Sequence, residues 1–177
     1  AAFKRGLFDN IIQTPVGNIG VAICYDAKRK HFYDNVKYEE LAMILFPHGC
    51  PADPKKPTRE QKMNDFFCGM YEETFGVPVV YVNSKGKLEY MAGRMGRMMQ
   101  KAGFAMNGFS KIYATDGTTI TCDVEEATGA GIEIVPRRRR KDIHFYGEDM
   151  IKGNWLFLQF ILKPDTKAGI KIYEETR

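Results

Sequence analysis

Val16-Gly17-Asn18-Ile19-Gly20-Val21-Ala22-Ile23-Cys24-Tyr25-Asp26 reads as a core strand that ends in a thiol. Residues 19–23 form a short, apolar, β-prone run. Pro15 and Gly17 precede it, and Asp26, Lys28, Arg29 and Lys30 come after it, a pattern that suits a buried strand better than a helix. Cys24 therefore falls where the strand leaves its sheet. A nucleophile on the turn after a strand presents its reactive atom at the sheet edge, and the backbone N–H of the next residue, here Tyr25, can meet a developing oxyanion. At the level of the residue alone, a cysteine in an apolar strand also reads as a small buried hydrophobe.

Working outward, residues 36–41 read as a short helix with Val36 and Leu41 inward. Residues 42–46 are a continuous apolar run stopped by Pro47, as expected of a central strand covered on both faces. Three prolines, Pro51, Pro54 and Pro57, make 50–57 a loop. Thr58-Arg59-Glu60-Gln61 has the form of a capping box, and Met63, Phe66, Phe67, Met70 and Thr74 recur at helical spacing until Gly76 and Pro78 end the segment. Val79-Val80-Tyr81-Val82-Asn83 is a further buried strand. Strand, helix, strand, helix, strand in that order predicts an α/β fold. Met91, Met95, Met98 and Met99 lie at helical spacing and read as core filler or a subunit contact, although Gly93, Gly96 and Gly103 weaken a helix there. A hairpin is expected over 109–114 and 118–124 around Thr115-Asp116-Gly117, and a strand over 131–135. Beyond Pro136 the pattern predicts a helix over 148–161, a turn at Lys163-Pro164-Asp165 and a strand over 170–173.

The chain's 177 residues are 44% apolar and 27% charged, an ordinary globular balance with enough length for one sizeable core. No apolar run is long enough to cross a bilayer, no secretory leader is visible at Ala1, and no membrane partner is expected. Cys24, Cys50, Cys68 and Cys122 are scattered without a CxxC pair, which reads as reduced thiols in a cytoplasmic protein. His31 and His48 lack the spacing of metal ligands, so no metal is expected. Arg137-Arg138-Arg139-Arg140-Lys141 concentrates charge in a chain of net +4, but without aromatic interleaving it reads as a solvated connector or a patch for an acidic partner subunit, not a nucleic-acid site.

The string from Thr14 to Asp26 resembles the nucleophile segment of the nitrilase (carbon–nitrogen hydrolase) superfamily, with its "TPVGxIGxxICYD"-like signature. The downstream order is similar too: a strand to Pro47, a helix, the strand to Asn83, then Gly108-Phe109-Ser110-Lys111-Ile112 leading to Asp116-Gly117. The resemblance implies an α/β fold, the family's α-β-β-α sandwich, present here as an incomplete C-terminal part over residues 1–136. Residues 137–177 would be an extension making subunit contacts through Trp155, Phe157, Leu158, Phe160 and Ile161 in a homo-oligomer. The family hydrolyses nitriles or amides with a Glu, Lys and Cys triad: the thiolate attacks carbon, the Glu moves the proton, and the Lys steadies the tetrahedral intermediate. Cys24 alone matches that triad, since Lys4 is the only lysine before it and lacks the family's pattern. The resemblance therefore implies that the Glu and Lys come from a preceding segment or from another chain, or that the reaction is not carried out.

It also implies an oxyanion donor at the Tyr25 N–H, with Asp26 and Lys28 where the family's "CYDxR" has Asp and Arg. His48 and Asn83 are further candidates for the pocket wall. The expected activity is hydrolysis of a small non-peptide amide, carbamoyl or nitrile substrate through a Cys24 thioester, without a cofactor. The alternative is a catalytically silent α/β assembly module or inactive fragment in which Cys24 is structural.

Overall fold

A computed structural model describes residues 9–91, 93–122, 129–145, 156, 159–160 and 163–175. Its organising element is a six-stranded sheet in the order β1-β2-β3-β5-β8-β9. The strands are β1 (Ile11–Thr14), β2 (Gly17–Val21), β3 (Leu41–His48), β5 (Val79–Asn83), β8 (Ser110–Tyr113) and β9 (Thr119–Cys122). The central three, β2, β3 and β5, run parallel, while β1 and the β8–β9 hairpin flank them antiparallel. The mixed α/β class expected from the order of elements is what the structure shows.

The β1–β2 turn is closed by Thr14, whose hydroxyl donates to the Gly17 carbonyl at 2.6 Å. Gly17 has φ 119, and a Cβ there would lie 2.9 Å from Ala42 Cβ and 3.0 Å from Pro136 Cγ, so only glycine fits both the turn and the packing.

Two helices, α1 (Lys30–Val36) and α2 (Pro57–Phe75), cover one face of the sheet. Phe32 and Val36 of α1, Ile44 and Phe46 of β3, Phe67, Tyr71 and Phe75 of α2, and Val79 and Tyr81 of β5 are all buried. Phe32, Phe46 and Tyr71 meet edge to face with centroids 5.2–5.7 Å apart, the arrangement that ring quadrupoles favour. On the other face, paired residues form a half-buried apolar row, Val21, Leu45, Val80, Ile112 and Ile120, with Val82 beside it 49% exposed.

A second, three-stranded sheet, β4-β7-β6, stands at the end of the first. It consists of β4 (Pro51–Ala52), β6 (Lys85–Lys87) and β7 (Ala105–Asn107), with helix α3 (Gly93–Lys101) inserted between β6 and β7. A last helix, α4, spans Lys163–Glu175.

Several expectations are corrected. The first helix is 30–36, not 36–41: Phe32, Tyr33 and Val36 make its buried face, and Leu41 already opens β3. Helix α2 starts at Pro57 without a side-chain cap, so the capping box does not form. Its buried face is Asn64, Phe67, Cys68, Tyr71, Thr74 and Phe75, one position round from the expected one, which leaves Met63 and Phe66 40% and 45% exposed. The methionines of α3 are not core filler, since Met98 is exposed and Gly96 is the buried residue.

Residues 131–135 form no strand. They lead to a single bridge between Arg137 and Leu41, beyond which Ile143 is buried in the core. The 170–173 strand is instead part of α4. Of the expected association surface, Phe160 is exposed, while Trp155, Phe157, Leu158 and Ile161, with most of the expected helix 148–161, lie outside the described residues.

The basic run does not stand free as a connector. Arg137 pairs with Leu41, Arg139 with Asp142 and Tyr33, and Lys141 with Glu73, and the Arg140 N–H donates to the Thr74 carbonyl at 2.6 Å.

Candidate functional site

Parallel strands end together, and the carboxyl edge of such a sheet is where open α/β folds bind ligands. Here β2, β3 and β5 bring Cys24, His48 and Asn83 to that edge. His48 pairs in register with Asn83 and Val21 with Leu45, and the Ala22 N–H donates to the Leu45 carbonyl at 3.1 Å, so the chain leaves β2 for Cys24 at the end where β3 finishes in His48.

Cys24 opens a 3-10 turn, Cys24–Lys28, after Ala22 and Ile23 carry the chain out of β2, and has φ 52. A left-handed conformation costs a non-glycine residue roughly 1–2 kcal/mol, so the surrounding turn must hold it there. The Asp26 N–H donates to the Ile23 carbonyl at 3.1 Å and the Arg29 N–H to the Asp26 carbonyl at 3.0 Å, which closes the turn. Buried Ala27 anchors it to the core. Asp26 is exposed, and the Arg29 guanidinium lies over the Tyr25 ring, 5.8 Å from the ring centroid.

Lys28, at the end of the turn, reaches back along α2. Its Nζ lies 3.5 Å from Met63 Sδ and 5.1 Å from the centre of the Phe67 ring. From there its charge acts on His48, Cys50 and Glu60. His48 is kept neutral: burial pushes it down to about 4, and its Nδ1, 3.0 Å from the Phe46 carbonyl, must be the protonated nitrogen because a carbonyl only accepts.

Beside these residues lies a part-buried polar lattice centred on Glu60. Its Oε1 accepts from Tyr81 Oη at 3.2 Å and Asn83 Nδ2 at 3.1 Å, and its Oε2 accepts from Asn107 Nδ2 at 3.3 Å. Burial raises its carboxyl above the ordinary range, opposed chiefly by the Tyr81 hydrogen bond and also by Lys28. Asn83 grips the Cys50 backbone like a neighbouring strand, accepting from its N–H at 2.9 Å and donating to its carbonyl at 3.1 Å. Cys50 is close enough to feel the charge of Cys24, while burial pushes its own thiol up to about 11. Among the described residues no cluster of His, Cys, Asp and Glu could hold a metal ion.

Of the six residues singled out from sequence, Cys24, Lys28, His48 and Asn83 converge on one edge, and Tyr25 and Asp26 belong to the turn that carries Cys24. Glu60, Cys50, Tyr81 and Asn107 were not anticipated. The signal for Glu60 was its place one helical turn before Asn64 and two before Phe67, a polar pair continuing the buried face of α2.

No family model matches the chain, and no curated protein matches it in sequence. Among solved structures, the fold is similar to that of a carbon–nitrogen hydrolase from Helicobacter pylori G27, with a TM-score of 0.54 and 16% sequence identity. The match covers 76% of this chain and 44% of that one, so this chain spans less than half the length of its structural neighbour. At that identity the likeness is one of fold.

Proposed function

We propose that the chain carries the nucleophile of a carbon–nitrogen hydrolase that cleaves a small non-peptide amide, carbamoyl or nitrile substrate. The observation that carries this reading is Cys24, held at φ 52 on the turn after a central parallel strand, in a fold similar to that of a carbon–nitrogen hydrolase. The left-handed turn matches the geometry of a strained strand-to-helix turn that lifts a nucleophile above a sheet edge.

For an amide, the Cys24 thiolate adds to the carbonyl carbon, forming a C–S bond and pushing the carbonyl electrons onto oxygen, where the Tyr25 N–H donates. Collapse breaks the C–N bond, and the nitrogen leaves with a proton as ammonia or amine. Water then adds to the thioester, the C–S bond breaks, and acid and thiol are released. Lys28 supplies positive charge at this edge. Glu60, its carboxyl raised by burial, is the carboxylate on hand to hold a proton. The half-buried row from Val21 to Ile120 supports a second layer of the same domain docking on that face and bringing the family-type Glu and Lys with it.

The test is the rate of Cys24 alkylation by iodoacetamide at neutral pH, in this chain and in one extended upstream as its gene encodes, against the urea-unfolded chain. The expected result is faster labelling of folded than unfolded Cys24, most of all in the extended form, with Cys24→Ala abolishing amide turnover there. Labelling no faster than in the unfolded chain in both forms would make Cys24 a structural thiol and leave an assembly module as the better reading.

A further inference from the structure

We infer that His48 sets the specificity of this site: its Nε2 accepts a hydrogen bond from an N–H of the substrate, which is therefore a primary amide or carbamoyl compound and not a nitrile; the inference rests on Cys24 being the reacting thiol. Side chains alternate across a strand, so every second residue lies on one face. Ala22, Phe46 and Tyr81 are buried together in the core that α1 and α2 cover. His48 follows Phe46 by two residues and keeps to that face, its ring centroid 4.6 Å from that of Tyr81 and 6.4 Å from that of Phe46. Cys24 begins its turn two residues beyond Ala22, on the neighbouring strand's side of the same edge. Lys28, at the other end of that turn, lies against Met63 and Phe67 of α2 and is close enough for its charge to act on His48.

The His48 ring is held in one tautomer. Its Nδ1 donates to the Phe46 carbonyl at 3.0 Å, which leaves Nε2 as a bare lone pair. Burial pushes the pKa down to about 4, so at neutral pH Nε2 accepts a hydrogen bond and has no proton to give. Nothing among the described residues donates to Nε2. Nor is it one of the sealed polar atoms without a partner, which are Asn64 Nδ2, Tyr71 Oη and Thr74 Oγ1, so it reaches accessible space. The acceptors of the adjoining lattice are already met. Tyr81, Asn83 and Asn107 donate to Glu60, the Cys50 N–H to Asn83 Oδ1, and Asn83 Nδ2 and the Phe109 N–H to Asn107 Oδ1.

An acceptor fixed in this way sorts substrates by whether they bring a donor. The NH2 of a primary amide or of a carbamoyl group fills it. A nitrile nitrogen carries only a lone pair and would leave Nε2 unpaired, which is why sites built to bind a substrate N–H reject analogues lacking one.

Two small alkylating reagents separate the donor from the reactive carbon: iodoacetamide carries a primary amide NH2, iodoacetonitrile a nitrile. Mass spectrometry resolves Cys24 from Cys50, Cys68 and Cys122, and protection of buried Cys68 reports that the chain is folded. The iodoacetamide-to-iodoacetonitrile rate ratio at Cys24 is expected to exceed that of the urea-unfolded chain by about tenfold, the worth of one hydrogen bond. His48→Phe should remove that excess, and His48→Gln, whose side-chain oxygen accepts in place of Nε2, should restore part of it. A variant-free measurement accompanies these: acetamide, and not acetonitrile, should shift the His48 Nε2 resonance in nitrogen NMR of the intact chain. An excess that survives His48→Phe, or an equal Nε2 response to both compounds, overturns the role of His48. A ratio equal to that of the unfolded chain, with Cys24 still reactive, overturns it too and leaves the thiol reading standing. Protection of Cys24 from both reagents to the level of Cys68 overturns the thiol reading, and this inference with it.

Discussion

His48 shows how one residue couples the site to stability. It sits 4.6 Å from the Tyr81 ring with its Nδ1 bound to the Phe46 carbonyl, and burial lowers its pKa from 6.5 to about 4. The unfolded chain takes up a proton near pH 6.5 and the folded chain only near 4, so stability is unaffected above pH 6.5 and falls as pH drops between those values. The loss is at most about 3 kcal/mol, from 1.36 kcal/mol per unit. Replacing His48 with Phe, which keeps the ring packing, is expected to flatten urea-unfolding stability across that window while costing about 1 kcal/mol at neutral pH for the lost hydrogen bond. An unchanged acid limb would mean that another group titrates there. The position of Cys24 was legible in sequence because a strand end and a family-like string coincide. The lattice beside it was not, because Glu60, Asn83 and Asn107 come from three separated segments and only the fold brings their side chains together.

At the scale of elements, helix α2 is terminated by Gly76, which has φ 64 and donates its N–H to the Glu72 carbonyl at 2.6 Å. The Arg140 guanidinium lies over the spot a Cβ would occupy. Gly117 in the β8–β9 turn also has a positive φ, 81, but opens onto free space. Gly117→Ala should therefore cost only the conformational penalty of about 1 kcal/mol, and Gly76→Ala visibly more, because Arg140 must also give way. Equal losses in denaturant melts would show that Arg140 moves aside freely. The strands that became β3 and β5 were readable because they are continuous apolar runs, although Pro47 does not stop β3, which continues through it, paired with Val82, to His48. The α4 segment misled because Ile170 and Ile172 alternate as in a strand, yet both are about half exposed in the helix. Helix α2 misled more subtly, since apolar residues lie on two neighbouring stripes and only packing against Phe46 and Phe32 selects the one carrying Tyr71.

For the whole molecule, the uneven treatment of the two sheet faces matters most. One is sealed by α1 and α2, while the other presents the row from Val21 to Ile120, with Val82 and Ile23 exposed beyond it. A contiguous apolar face of this kind binds hydrophobic dyes and partners. The chain should bind ANS while fully folded, and Val82→Lys with Ile23→Lys should reduce that binding while shifting stability by no more than about 0.5 kcal/mol, as is usual for exposed positions. Dye binding that appears only on unfolding would show the face to be covered.

The parallel ladder that sets His48 and Asn83 side by side, with Cys24 on the turn beyond β2, carries a different consequence, for how this chain can change length. Because each strand's register against its neighbour fixes which residue reaches the edge, one residue added or removed within β3 or β5 turns every later residue of that strand to the opposite face and carries His48 or Asn83 out of line. An addition to the loop between Ala52 and Pro57, or to the turn at Gly117, leaves every strand end where it was. Insertions and deletions in this chain are thus confined by the site itself: the loops are free to drift in length, while the strands must keep count.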